Sequence, residues 1–150
     1  MKFEFRLERL KDLKKILEDN ARMELGKKSK QRQLVEDEIK QISNKIDTFS
    51  DEFTKEVKDT ISITKLSNMI EYKNHLNEQL SQLHLVLHEK LQEEEIARQN
   101  YLKAKNEKDI LQKLKDKRFD EFKIQEKRAN IKELDEIARL NHQPREENYE

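Results

Sequence analysis

The sequence predicts an all-α fold: a long two-stranded antiparallel coiled coil, or helical hairpin, with the second helix longer than the first. Three observations carry this reading. Charged residues make up 43% of the 150 and apolar ones 33%, with one Gly, one Pro and no Cys; a compact domain carries more apolar residues and more turn formers. The apolar residues present recur at coiled-coil spacing. The two halves of the chain also match one another in reverse order. A disordered chain goes with high net charge and no hydrophobic period, whereas here 32 basic residues cancel 32 acidic ones.

The first helix is expected over about residues 3–58. Its clearest stretch is Val35, Ile39, Ile42, Ile46, Phe49 and Phe53, spaced 4, 3, 4, 3, 4, the seam of a heptad repeat. A turn is expected over about 59–64, where Thr60, Ile61, Ile63 and Thr64 are β-branched and Ser62 or Thr64 supplies a helix N-cap. The second helix follows over about 65–141, opening with Met69, Leu76, Leu80, Leu83 and Leu87, and a disordered tail over 142–150 completes a single hairpin domain spanning 1–150.

Arithmetic gives the direction. Facing residues of an antiparallel hairpin have numbers that add to a constant; Val35 with Leu87 gives 122, as do Ile39 with Leu83, Ile42 with Leu80, Ile46 with Leu76, and Phe53 with Met69. The same sum pairs Leu25 with Ala97, Ala21 with Tyr101, and Phe3 with Phe119; Leu10 with Leu111 and Leu7 with Leu114 fall one short. One unbroken helix in a parallel dimer is the competing architecture. The seam is polar between Gly26 and Gln33 and around Glu93, Glu94 and Glu95, with Lys28 opposite Glu94; a flexible waist or a weakly packed layer is expected there. Beyond Phe119 the second helix outruns the first by about twenty residues, roughly 30 Å at 1.5 Å per residue. That overhang carries Ile124, Ile131 and Ala138 seven apart, with Leu134 between, and an apolar stripe without an internal partner calls for an external one.

Catalytic chemistry is not expected. A single glycine cannot build a phosphate-cradling loop. His84 and His88 share a helix face, but no third His and no Cys stands near them to complete a metal site. Acidic pairs such as Glu93-Glu94 and Asp135-Glu136 have no predicted pocket to shift their pKa. No cofactor, metal or small-molecule substrate is therefore expected. The absence of Cys suits a reducing compartment, no run of about 18 apolar residues exists to span a membrane, and the N-terminus lacks a signal-peptide core. The chain is expected in the cytoplasm.

Charge is uneven. Residues 2–32 hold eleven basic and six acidic side chains, and residues 103–132 hold the same, a net of +5 each; from Glu133 onward six acidic face two basic. Basic segments invite nucleic acid, but stacking aromatics are sparse and acids are interleaved, so a charged protein sleeve is expected and nucleic acid is not.

The start, Phe3-x-Phe5-x-Leu7-x-x-Leu10-x-x-Leu13, and the closing stretch Glu126-Lys127-Arg128-x-x-x-Lys132-Glu133-Leu134-Asp135-Glu136-Ile137-Ala138 resemble the FliJ family, small coiled-coil proteins of the bacterial flagellar export apparatus. The resemblance implies a central stalk that inserts its paired helical ends into the hexameric export ATPase ring. It also implies contact with the export gate at the inner face of the cell membrane and with export chaperones. On this reading the ring contacts are Lys123, Ile124, Lys127, Arg128, Ile131, Leu134 and Ala138. Family members touch the gate through apolar residues four apart early in the second helix, positions that match Tyr72 and Leu76. The pairing sum, however, buries Leu76 against Ile46. The equivalent stalk of a virulence-type secretion system, or a general coiled-coil scaffold, would share the fold.

Overall fold

The computed structural model describes residues 1–142. Helix α1 spans Glu8–Val57, 50 residues, and helix α2 spans Ile63–Asn141, 79 residues; no strand occurs among the described residues. The two pack as a helical hairpin with α2 the longer. The predicted disordered tail lies outside the described residues except for His142, whose N–H donates to the Ala138 carbonyl at 3.1 Å.

α1 begins at Glu8, five residues later than the periodicity suggests. No Ser, Thr, Asp or Asn precedes Phe3 to cap an earlier start. The chain instead makes a turn, in which the Glu8 N–H donates to the Phe5 carbonyl at 3.1 Å and the Lys11 N–H to the Leu7 carbonyl at 2.9 Å. Glu8 places an acid in the first helical turn, where it complements the helix dipole. At the other end, the Asp59 N–H donates to the Glu56 carbonyl at 3.2 Å and α1 stops. Ser62 is the N-cap of α2: its Oγ accepts the Lys65 N–H at 3.2 Å and its carbonyl accepts that of Leu66 at 3.1 Å. α2 thus starts at Ile63, two residues earlier than expected, and Thr64 lies inside its first turn.

The chain forms two compact units, Leu17–Ala104 and Met1–Ile16 with Lys105–Glu150. In the first, the inward positions of α1 are Ala21, Leu25, Lys28, Arg32, Val35, Ile39, Ile42, Ile46, Phe49, Phe53 and Glu56, all buried or half-buried. They run in an unbroken 3,4 alternation. α2 answers with Met69, Leu76, Leu80, Leu83, Leu87, Lys90, Glu94, Ala97 and Tyr101. Val35, Phe49, Leu76 and Ala97 are its buried apolar residues. Cross-helix contacts join Phe49 to Tyr72, ring centroids 5.1 Å apart, Lys28 to Glu93 at 3.4 Å, Arg32 to Glu94, and the Arg22 guanidinium to the Tyr101 ring at 5.7 Å. All are antiparallel pairs with numbers within four of the expected sum.

In the second unit, Phe3 meets Phe119 edge-on at 5.2 Å and Phe122 at 5.5 Å. The predicted Phe3–Phe119 pair is therefore present, but it is made by the non-helical segment ahead of α1. Glu8 pairs with Lys115 at 2.9 Å, and Lys14 with Glu107 at 2.9 Å. One expected layer differs. Leu10, predicted to face Leu111, is 40% exposed, and Lys11 takes the inward place, its side chain 16% exposed. Counted in sevens along α1, the inward positions fall on Leu7 and Lys14 with Lys11 between them. The leucines at 10 and 13 stand one residue out of phase. Lysine tolerates the inner place because its methylene stem packs while its ammonium reaches an acid at the edge.

Candidate partner-binding surfaces

Phe122 packs on Phe3 and Gln125 lines the groove beside it; from 123 to 141 the helix continues for about 28 Å. Ile124, Ile131 and Leu134 are 52%, 49% and 65% exposed, and Ala138 is exposed as well. Their direction is unexpected. At about 100° per residue, Ile124, Ile131 and Ala138 lie roughly 200°, 180° and 160° around the helix from Phe122, and Leu134 about 120°. The overhang stripe is therefore no continuation of the seam. It occupies the opposite face of α2, where no part of α1 could cover it.

The basic residues expected beside it divide. Lys123 folds back so that its Nζ stands 4.7 Å from the Phe119 ring centroid. Lys127 lies on the stripe itself, about 140° from Phe122, between Ile124 and Ile131. Lys127, Arg128 and Lys132 are exposed and make no ion pair among the described residues. Sequence reasoning passed over Phe122, which anchors Phe3, and also the exposed Ile137 and Leu140. Ile137 belongs to the closing motif but lies off the seven-residue spacing used to find the stripe.

Near the turn, Tyr72 and Leu76 have different environments although they are one helical turn apart. Tyr72 is 47% exposed and its ring packs edge-on against Phe49. Leu76 is 3% exposed, inside the seam, as the pairing sum requires. A partner approaching from solvent meets Tyr72 and not Leu76.

The polar layer is an organised network and not a gap. Glu94, 6% exposed, accepts from Arg32 across the hairpin and from Arg98 along its own helix at 2.7 Å. Arg32 also reaches Glu36 at 2.8 Å, and the pull of Glu94 and then Glu36 holds its guanidinium above the usual arginine value. Lys28 and Lys90 both reach Glu93, at 3.4 and 3.5 Å. Burial pushes the Glu93 carboxyl up, yet the two ammonium groups leave it below the usual carboxylate range. In the other unit, Lys115 and Lys11 likewise hold Glu8 below that range, against a smaller opposing effect of burial. These ion pairs sit in open grooves, Lys28 and Glu93 beside Ala21 and Ala97, and Glu8 and Lys115 beside Phe3 and Phe5. No group of three or more His, Asp or Glu at metal-binding distance occurs among the described residues, and no described helix is long and apolar enough to cross a membrane.

Phe3 holds the non-helical start of the chain against α2, and the closing motif lies on exposed helix at the other end of the sequence. A family model, Flagellar FliJ protein, matches residues 1–147. The chain belongs to the FliJ family. It is thereby a component of flagellar protein export, of a family without catalytic activity. No individual curated protein and no solved structure gives a significant match. Within the FliJ frame, the ring residues expected from the sequence fall on the overhang and the gate residues near the turn.

Proposed function

We infer that this FliJ-family chain is the central stalk of the flagellar export ATPase, a binding protein whose C-terminal overhang enters the hexameric ring. The observation that carries the reading is the exposed stripe of Ile124, Ile131, Leu134 and Ala138 on a helix that has left its partner behind. Burying such a stripe yields about 25 cal/mol per Å² of apolar surface removed from water. Lys127, Arg128 and Lys132 add attraction to an acidic lining and speed encounter. Lys123, held over Phe119, stiffens the base of the overhang. At the opposite end of α2, Tyr72 is the contact for the membrane-embedded export gate, and Leu76 supports it from inside the seam. Contact with export chaperones, and a place at the inner face of the cell membrane, belong to the same reading and rest on family membership. A virulence-type stalk would share the geometry; the flagellar family match favours the flagellar machine.

Deleting residues 123–150 tests the stalk. The deletion spares Phe3, Phe119 and Phe122, so circular dichroism should still show a cooperative helical melt. Stimulation of hydrolysis and ring assembly by purified export ATPase should be lost. Full stimulation by the truncated chain would end the proposal.

A further inference from the structure

We propose that the overhang is also a self-association site, in which two copies of this chain pair their C-terminal helices antiparallel through the outward stripe. This goes beyond the stalk reading and does not depend on it.

The argument starts from which side chains occupy the stripe and its edges. With Ile124, Lys127, Ile131, Leu134 and Ala138 as the inward line, Arg128 and Asp135 fall together on one flank, about 240° and 220° from Phe122. Both are exposed, and neither makes an ion pair among the described residues. Consider a second copy laid parallel. Lys127 would face Lys127 in the middle of the contact, and Lys123 would approach Arg128 of the other copy across the flank. Like charges at these places oppose pairing. Turned antiparallel, Ile131 faces Leu134 of the second copy, and Lys127 faces the small Ala138, which leaves its stem room to run out to solvent. Arg128 then meets Asp135 of the second copy, and by two-fold symmetry Asp135 meets Arg128. Every flank contact that is repulsive in the parallel arrangement is removed, and two reciprocal ion pairs appear. A two-fold pairing of this kind uses one surface twice and closes on itself.

Geometry permits it. The stripe lies on the face of α2 turned away from Phe122, so a second helix can lie along it without displacing Phe3. The segment is only about four to five turns long, which makes the contact small and the association weak and concentration-dependent.

Sedimentation equilibrium of the full chain, alone and at low salt, tests the proposal. The wild type should pass from monomer to dimer between about 1 µM and 0.5 mM, and the dimer should weaken as salt screens the flank pairs. Arg128→Asp or Asp135→Arg alone turns two attractions into two repulsions and should raise the dimer Kd by about tenfold or more. The double variant Arg128→Asp with Asp135→Arg recreates both pairs with reversed sign and should recover near-wild-type association. All three changes lie on exposed helix beyond the paired region, so the fold is not at risk. A wild type that stays monomeric over the whole range, single variants that dimerise like wild type, or a double variant no better than the singles would each overturn the proposal. The ATPase is absent from this experiment, so its failure leaves the stalk reading standing, and the reverse holds for the truncation.

Discussion

Replacing Leu76 with Ala is the sharpest test of the seam, because the residue has two competing assignments. Leu76 is the least exposed apolar side chain of the described chain, at 3%, in the layer that the pairing sum shares with Ile46. A Leu→Ala change in a close-packed core costs about 2–5 kcal/mol, depending on how far the surroundings collapse. A two-stranded seam has solvent on both flanks and relaxes readily, which points to the lower part of that range, about 2–3 kcal/mol. For a chain of this length each kcal/mol moves the Tm by roughly 2–4 °C, so a fall of about 5–10 °C is expected in a far-UV circular dichroism melt. Tyr72→Ala loses the edge-on contact with Phe49, worth about 0.5–1.5 kcal/mol, and should shift the melt by less than Leu76→Ala does while weakening gate binding. Leu85, 69% exposed, serves as the control, and its replacement by Ala should stay within about 0.5 kcal/mol of wild type. If Leu76→Ala melted like wild type yet lost gate binding, the side chain would be a surface contact and the seam assignment would be wrong there.

Two further outcomes follow from single residues and from charge. Gly26 lies exposed inside α1 without a positive φ, and a Cβ added there meets nothing within 4 Å; Gly26→Ala should therefore raise stability by about 0.5–1 kcal/mol in a urea melt. Glu8, Glu93 and Glu95 titrate below the usual carboxylate range, so their contribution is complete above the unfolded value of about 4.3 and is lost as pH falls through the lowered folded values. The Tm should hold near-constant from about pH 6 to 5 and drop below about pH 4.3, and a melt that rose on acidification would show that these carboxylates do not support the native packing. Lys115, raised chiefly by its bond to Glu8, runs the other way: its contribution is present below the ordinary lysine value of about 10.4 and fades as pH climbs through the raised one.

What could be read in advance was whatever repeats in apolar residues. Val35 to Phe53 and their partners Met69 to Leu87 state the heptad openly, so the direction, the turn and the inward place of Leu76 follow from counting. Charged residues in the seam hid the rest. Counting sets Lys28 opposite Glu94, but Lys28 reaches Glu93 and Arg32 takes Glu94, a choice among neighbouring carboxylates that spacing alone does not make. Leu10 differs for the same reason: apolar identity favours the leucine for the inner place, whereas the heptad frame puts Lys11 there. The late start of α1 was hidden because Phe3 and Phe5 continue an apolar pattern, and only the missing cap argued otherwise. The stripe of the overhang was visible as a spacing, but its face could be assigned only after Phe122 fixed where the inner face of α2 lies.

That assignment changes what the overhang can mean. Had the stripe been seam left uncovered by a short α1, it would share the face of Phe122, and a longer first helix would bury it. Lying opposite, it is a second apolar face of α2, while the side of Phe122 runs on through the exposed Ile137 and Leu140. Only one partner can hold Ile131 and Leu134 at a time, so the proposed antiparallel dimer and the proposed ring complex would compete for the same side chains. By mass action, such pairing between copies would lower the concentration of free overhang and weaken the apparent affinity for the ring as the chain accumulates. Binding to the ring would then draw the proposed dimer apart, with the charges on Arg128 and Asp135, which pair only in that dimer, setting where the balance falls.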